Sequence, residues 1–530
     1  MKKPALRLVT VLAVLALVGA ACGGGGNKTK TAQPTATTAA AGTPQTGGIL
    51  RVGLESDVST LDPAKGLAQP ADKDIGLSVY DPLMSYDKDG KVVPYLAKAF
   101  TPNADLTQWT MTLPTGVTFQ DATPFNADAV KADFTRLKDP ATHCACNDDM
   151  KHIVSVDTPD ATTVVFKLDA PNVVFAALLA GSVGYVPSPT AVKNEGADFP
   201  LHPVGTGPFK VSEFQAGDHI TVVQNPTYWK KDSAGRQLPY LDSIVFKFIS
   251  DTHVRLQTLQ TGGVDLIQTA DTATVKQAED AGLKVQKATG SSSTNIQFNL
   301  KRAPFDDVRV RKALAEAVNK QSVVDVVWSG TRIVSNSIFP LKSPYITKGV
   351  GDAPYNPTDA KKLLQEYGKP VSFTAECISA STESQQLMPL LQQMWTAVGA
   401  HVTLKFTDQG AFVTDKFGPK DYQTSCFRTN QFVDPDDLYG TYHSGSGNNT
   451  VNLSDPKIDA ALEAGRRTSD FAARKAAYDT LQRQLAADVP GFTLAYDLFG
   501  NIYSAKVNGL PLPEPDSLGA IKMTTIWLSK

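Results

Sequence analysis

The sequence carries no excess of charge of either sign. Its 530 residues hold 51 Lys+Arg against 53 Asp+Glu, a formal −2. A nucleic-acid binder normally shows a clear basic surplus, and an acidic disordered chain an acidic one, so both classes are excluded. Five cysteines in a chain of this length exclude a small disulfide scaffold. Reaction motifs are missing too: no His-Glu-x-x-His, no Gly-x-Ser-x-Gly, and no Gly-rich phosphate loop followed by Lys-Ser/Thr. Ser454 and Lys457 have Ser-x-x-Lys spacing, but that chemistry needs both on one helical turn, and Pro456 stands between them. His143-Cys144-Ala145-Cys146 with Asp148 and Asp149 lacks the two separated Cys-x2-Cys pairs of a zinc site. The other histidines, among them His202, His219 and His443, are scattered. No cofactor, no metal and no catalytic residue is expected.

Long apolar runs are also scarce, and the only prominent one is at the start. Lys2, Lys3 and Arg7 form a basic head, and residues 8–21 run apolar apart from Thr10 and Gly19. That is shorter than the roughly 20 residues a membrane-spanning helix needs, so it reads as a signal peptide. It ends in Leu17-Val18-Gly19-Ala20-Ala21-Cys22, which resembles the lipobox cleaved by lipoprotein signal peptidase, with Gly19 where Leu is usual. The expectation is a lipid on Cys22, the alternative being ordinary secretion with Cys22 an incidental thiol. Residues 23–48 contain almost nothing large and apolar and read as a flexible tether. As a random coil it would hold the body roughly 25–30 Å from a membrane.

From Ile49 the texture changes. Short β-like runs (49–52, 109–113, 162–168, 244–249) interleave with helical patterns such as 126–137, capped by Asn126, and 307–319, where Val308, Val310, Leu314, Ala317 and Val318 recur at helical spacing. This alternation predicts a mixed α/β body with length for two or three lobes. With Cys22 set aside, Cys144, Cys146, Cys377 and Cys426 remain, and outside the cytoplasm they can pair. Cys377 and Cys426 both lie in strand-like segments that a cross-strand disulfide would suit, whereas Cys144 with Cys146 would close a small ring or stay free. The connectivity is left open.

Several short segments stand out in order along the chain: Thr60-Leu61-Asp62-Pro63, Val79-Tyr80-Asp81-Pro82-Leu83-Met84, Val93-Pro94-Tyr95-Leu96-Ala97, Trp109-Thr110-Met111-Thr112-Leu113, Val117-Thr118-Phe119-Gln120-Asp121, and Pro124-Phe125-Asn126-Ala127-Asp128-Ala129-Val130. Val204-Gly205-Thr206-Gly207-Pro208-Phe209-Lys210-Val211, Asn225-Pro226-Thr227-Tyr228-Trp229 and the stretch from Phe298-Asn299 to Arg311-Lys312-Ala313-Leu314 complete the set. Their shared order resembles the extracellular solute-binding proteins of family 5, the peptide- and nickel-type receptors of ABC importers. Read by themselves, the Gly205 to Pro208 residues look like a turn with close backbone approach, Trp109 and Trp395 like core, and Arg309, Arg311 and Lys312 like a solvated helix face.

The resemblance implies an α/β, two-lobed periplasmic-binding-protein-like fold (type II, Venus-flytrap) with an extra inserted subdomain. Lobe I is expected from residues 49–75, 200–295 and 496–530, the inserted subdomain from 76–199, and lobe II from 296–495. It implies a monomeric receptor that captures an oligopeptide or similar small polar solute in the interlobe cleft. It would hand this to a permease and its ATPase subunits on the extracytoplasmic face of the cell membrane. A nickel, metal-chelate or sugar ligand is the alternative within the family, and an exported hydrolase the alternative outside it. Peptide binders of the family hold the ligand's amino group with an aspartate three residues before the acid of an Asp-Pro pair. The pair here is Asp434-Pro435, and the matching position is Gln431, whose amide supplies no counter-charge to an ammonium. Whether free-amine peptides bind is left open. The expected contacts are Gln431 with its neighbours Asn430 and Phe432, Arg428 upstream, Glu55, Ser56 and Asp57 after the first strand, and Tyr496 near the last lobe crossing.

Overall fold

The computed structural model describes residues 42–67, 70–87, 90–379, 382–430, 432–513 and 519–530. Cys22, the expected tether up to residue 41, and Gln431 lie outside the described residues. Residues 43–530 form one compact unit.

Its backbone is a single sheet of eleven strands among the described residues, shared between both lobes. In lobe II the order runs His401–Thr407, Ser372–Ile378, Thr424–Asn430. Two long strands, Lys284–Phe298 and Gly491–Tyr503, pair antiparallel along most of their length and carry the sheet across into lobe I. There it continues through Leu266–Thr269, Ile49–Leu54, Ser243–Phe248, His219–Gln224 and Phe209–Gln215. Ile49–Leu54 lies parallel to both its neighbours, and Leu50, Val52 and Leu54, which share one face, are all buried in the lobe I core. The register of the crossing pair shifts between Thr289/Leu498 and Ser293/Tyr496. An irregularity of this kind bends and twists a sheet locally, here between the two lobes.

Each region has its own apolar core. Lobe I packs Leu50, Val52, Ile75, Phe209, Ile244 and Phe246. The inserted subdomain, built on the separate sheet Ala99–Pro102, Gln108–Thr112, Thr163–Leu168, Ile153–Asp160, packs Trp109, Met111, Phe134, Phe166 and Phe175. Lobe II packs Phe298, Val310, Leu314, Phe373, Leu391 and Trp395 beneath its strands, and Phe339, Leu438, Ile458, Leu462 and Tyr478 between its helices. Trp109 and Trp395 are thus core residues as expected, and Trp395 Nε1 donates to the Leu314 carbonyl at 2.9 Å. Residue 76, the expected start of the subdomain, falls within helix Pro70–Val79, whose Leu77 and Val79 stay in the lobe I core.

Local chemistry explains the helix starts. Asn126 caps Ala127–Lys138 by accepting from Ala129 N, and Asp307 caps Val308–Glu316 by accepting from Arg309 N. One expectation is corrected here. Arg311 is not on a solvated face: it is 6% exposed and donates to the carbonyls of Phe305, Asp488 and Val489, which ties this helix to the end of helix Phe471–Asp488. Arg309 pairs with Asp307 at the surface instead. Two cysteine pairs form where the sequence left the connectivity open. Cys377 and Cys426 join adjacent parallel strands with their Cα atoms 5.3 Å apart, and Cys144 bonds Cys146 in the subdomain. No helix among the described residues is long and apolar enough to cross a membrane.

Candidate functional site

A buried cluster of charges lies where the two long strands pass between the lobes. Asp497 is the one charged residue of strand Gly491–Tyr503 and has no solvent exposure. Its carboxylate accepts from Ser292 Oγ at 2.5 Å and Thr294 Oγ1 at 3.0 Å, both on the partner strand. It also pairs with Arg332 Nη1 at 2.6 Å and Arg428 Nε at 3.1 Å. Burial raises the Asp497 pKa, but the two guanidiniums outweigh it and hold the carboxyl below its usual range. Glu383, in the first turn of helix Thr382–Ala397, accepts from both Arg332 Nη1 (3.0 Å) and Nη2 (2.8 Å) and lies 3.3 Å from Arg428 Nη2. Arg332 itself is buried, with its guanidinium carbon 4.3 Å from the centre of the Trp328 ring.

Arg428 differs from Arg332 in one respect that matters for binding. Its side chain keeps 34% of its surface while Asp497 and Glu383 anchor it from below. Burial lowers its pKa, and Asp497, Glu383 and Glu55 together push it back well above the usual arginine value. Glu55 comes from lobe I, so Arg428 feels charge from both sides of the crossing. Glu55 is also 4.0 Å from buried Arg255, which donates to the carbonyls of Ile249, Ser250 and Gln268. The arrangement is a rigid ionic floor with one partly open guanidinium, suited to holding a polar solute by hydrogen bonds. No group of three or more His, Cys, Asp or Glu suited to a metal occurs among the described residues.

The other expected contacts are dispersed. Ser56 Oγ is buried without a partner. Asp57 accepts from Val58 N and from Gly217 N, both at 2.7 Å, and so braces a hairpin turn. Phe432 is 5% exposed and meets Phe339 edge-on at 5.4 Å, in the helical core of lobe II. The Tyr496 hydroxyl donates to the Phe339 carbonyl at 2.7 Å, in the same core region. Asn430 closes strand Thr424–Asn430 opposite Ser292. Asp434 of the Asp-Pro pair is held by Arg474 through bonds of 2.8 and 2.6 Å. Sequence reasoning missed Asp497, Arg332 and Glu383. Asp497 had a usable signal, since a lone acid within a thirteen-residue, otherwise uncharged strand needs a buried partner. Arg332 and Glu383 stand in unremarkable sequence, and only the fold brings them to it.

The segments that carry the family resemblance lie elsewhere. Gln120 Nε2 donates to the carbonyls of Val79 (2.9 Å), Gly207 (3.2 Å) and Phe209 (2.7 Å), and its Oε1 accepts from Gly205 N. A Cβ on Gly207 would lie 2.5 Å from the Val79 backbone, so the close approach expected of this turn is real. Asn225 Nδ2 donates to the Gly207 carbonyl, while Tyr228 Oη and Trp229 Nε1 donate to buried Asp81. Four motifs thus converge on the seam between lobe I and the inserted subdomain.

Comparison with known proteins agrees with this architecture. The glutathione-binding protein GsiB of Salmonella typhimurium is 29% identical over 476 residues, spanning 86% of this chain and 91% of that protein. The oligopeptide-binding protein AppA of Bacillus subtilis, solved with a nonapeptide, superposes with a TM-score of 0.82 at 22% identity over 92% of this chain and 100% of that one. AgaA of A. tumefacien R10, solved with agropinic acid, gives 0.80 at 25% identity over 91% and 99%. Residues 91–450, more than half of the chain, match the bacterial extracellular solute-binding proteins, family 5 Middle. The chain therefore belongs to the family 5 solute-binding proteins, the substrate-binding components of ABC importers, and is a receptor rather than an enzyme.

Proposed function

We propose that this receptor captures an oligopeptide or similar small polar solute above the ionic floor, with Arg428 as the principal anion-binding group. The observation that carries this reading is Arg428 itself, partly open yet anchored from beneath by Asp497 and Glu383. An arginine preset in this way meets a ligand carboxylate with little further ordering. The relatives named for glutathione and for oligopeptides support the same ligand class. Glu55 and Ser56 would line the lobe I side, with Asp57 bracing their loop. Asn430 and Gln431 would shape the lobe II side, with a neutral amide at residue 431 to meet the ligand's polar groups. Phe432 and Tyr496 would support it from the core behind, where both meet Phe339. We assign lobe I to residues 49–75, 200–295 and 496–530, the inserted subdomain to 76–199, and lobe II to 296–495. A diacylglycerol on Cys22 would keep the receptor on the extracytoplasmic face of the cell membrane, beside a permease driven by cytoplasmic ATPase subunits.

Native mass spectrometry of the purified protein identifies a co-purified solute, and calorimetry with glutathione and short peptides measures affinity. Arg428→Ala is expected to weaken binding of a carboxylate-bearing solute about 10-fold or more, the worth of one charge-assisted hydrogen bond. Unchanged affinity would remove Arg428 from the site. Gln431→Ala is expected to change affinity by more than about twofold, and Cys22→Ser to release the protein from the membrane fraction.

A further inference from the structure

The inserted subdomain makes a second polar contact, remote in sequence from the first and on the lobe II side. Asp148, in the short helix Asn147–Lys151, accepts from Ser446 Oγ at 2.9 Å and from Gly447 N at 2.8 Å. Val173 N donates to the Arg466 carbonyl at 2.9 Å. Arg466 ends helix Pro456–Arg466, where its Nε donates to Asp436 at 2.6 Å and its guanidinium carbon lies 3.4 Å from the centre of the Tyr439 ring. Tyr439 in turn meets His152 of the subdomain edge-on at 6.5 Å.

Elsewhere the subdomain is knit to lobe I. Besides the Gln120 and Asp81 contacts, Arg136 Nη1 donates to both carboxylate oxygens of Asp62 at 3.0 Å, and Ala145 N donates to the Ala64 carbonyl. The subdomain therefore travels with lobe I when the lobes turn about the strand crossing. A hinged receptor must part its lobes to admit solute, and any bond from the subdomain to lobe II breaks when it does.

We propose that Asp148 and Val173 on the subdomain, with Ser446, Gly447 and Arg466 on lobe II, form a closing latch outside the solute's own contacts. The latch biases the open–closed equilibrium without touching the ligand. Apparent affinity scales with the fraction of molecules in the closed form, so the latch scales affinity for all solutes by one common factor and leaves their ranking alone. Specificity then resides at the strand crossing, and overall strength of capture is set jointly with the rim.

The test uses the full chain without ligand, so it stands apart from the reading of Arg428. Single-molecule energy transfer between fluorophores on non-natural residues at Lys193 and Lys457 reports the distance across the mouth. Asp148→Ala and Ser446→Ala are expected to lower the closed fraction at least about twofold, with circular dichroism and melting temperature unchanged. A distance distribution identical to wild type in both variants overturns the latch. The complementary variant carries Asp148→Cys and Gly447→Cys, since a Cβ on Gly447 would sit 3.6 Å from the Asp148 carboxylate. It is expected to oxidise spontaneously to a locked closed form, read by peptide mass mapping. Failure to cross-link in the folded protein overturns the proposed apposition.

Discussion

Where the inserted subdomain meets lobe I, the bonds are numerous, buried or half-buried, and involve backbone on both sides. Gln120 binds four backbone groups, and Asp81 satisfies two ring-bearing donors. Where it meets lobe II, the bonds are few and lie at the rim: Asp148 retains exposure, and of its partners Gly447 is an exposed loop residue while Ser446 is buried. The first seam cannot open without leaving unsatisfied buried groups, each of which costs about 1–3 kcal/mol. The second can exchange its partners for water at little cost. One small subdomain thus acts as a fixed extension of lobe I and as a reversible partner of lobe II.

The strongest way to break this contrast is Gly207→Ala. Its new Cβ would press on the Val79 backbone at 2.5 Å, where no flexible side chain can yield. The expected loss is on the order of 4 kcal/mol or more, measured by denaturant unfolding, and this range is reserved for backbone clashes and similar failures. A milder test of the same seam is Asp81→Ala. Buried Tyr228 Oη and half-buried Trp229 Nε1 would both lose the acceptor they share, for an expected loss of about 1–3 kcal/mol.

The pH dependence sharpens the point. Burial pushes the Asp81 carboxyl up to about 6, against the lowering effects of Trp229, Lys230 and Tyr228. In the unfolded chain the carboxyl returns to the ordinary range near 4. Between these values the folded state binds more protons than the unfolded state. The stability that Asp81 contributes is therefore full below about pH 4 and is lost as pH rises through about 6. Asp81→Asn removes this titration. The stability difference between wild type and Asp81→Asn is expected to fall by about 2 kcal/mol from pH 4 to pH 7 and to stay flat above, followed by urea melts at fixed ionic strength.

The sequence was most legible at the first seam and least so at the second. Motifs such as Val79 to Pro82, Gln120, Gly205 to Pro208 and Asn225 to Trp229 carry the resemblance because each meets a strict local demand, a backbone approach or a buried acceptor. The strands and capped helices were legible for a similar reason, since Asn126 and Asp307 act within a few residues of themselves. The buried ionic cluster between the lobes was legible only in part. Arg428 and Glu55 stood out by their place in the family pattern, whereas Glu383 and Arg332 depend on pairings across 45 to 165 residues that no local signal marks. Arg311 was misread for a related reason. A cation on an amphipathic helix looks solvated until the carbonyls at the end of another helix are brought against it. Asp148, Ser446 and Arg466 are ordinary polar residues in loops and helix ends, and nothing in their neighbourhoods announces that they meet.

The smallest expected effect belongs to the second seam and separates two meanings of stabilisation. Asp148→Ala removes two bonds, leaving exposed Gly447 N to water and Ser446 Oγ, on a residue 7% exposed, at the rim without its acceptor, so global stability is expected to change by no more than about 1 kcal/mol. Lys151 loses its partner at the same time, but an exposed pair of this kind contributes little. Unfolding compares the native ensemble with the unfolded chain, and both open and closed receptors count as native. A contact that only chooses between two native forms is therefore nearly silent in a melt, although it alters how long the receptor holds its solute. If Asp148→Ala instead unfolds the protein as readily as Asp81→Ala does, the two seams are of one kind, and the subdomain is a rigid bridge between the lobes. A melt matching wild type, together with faster solute release, is the signature of a contact that closes the receptor without holding up its fold.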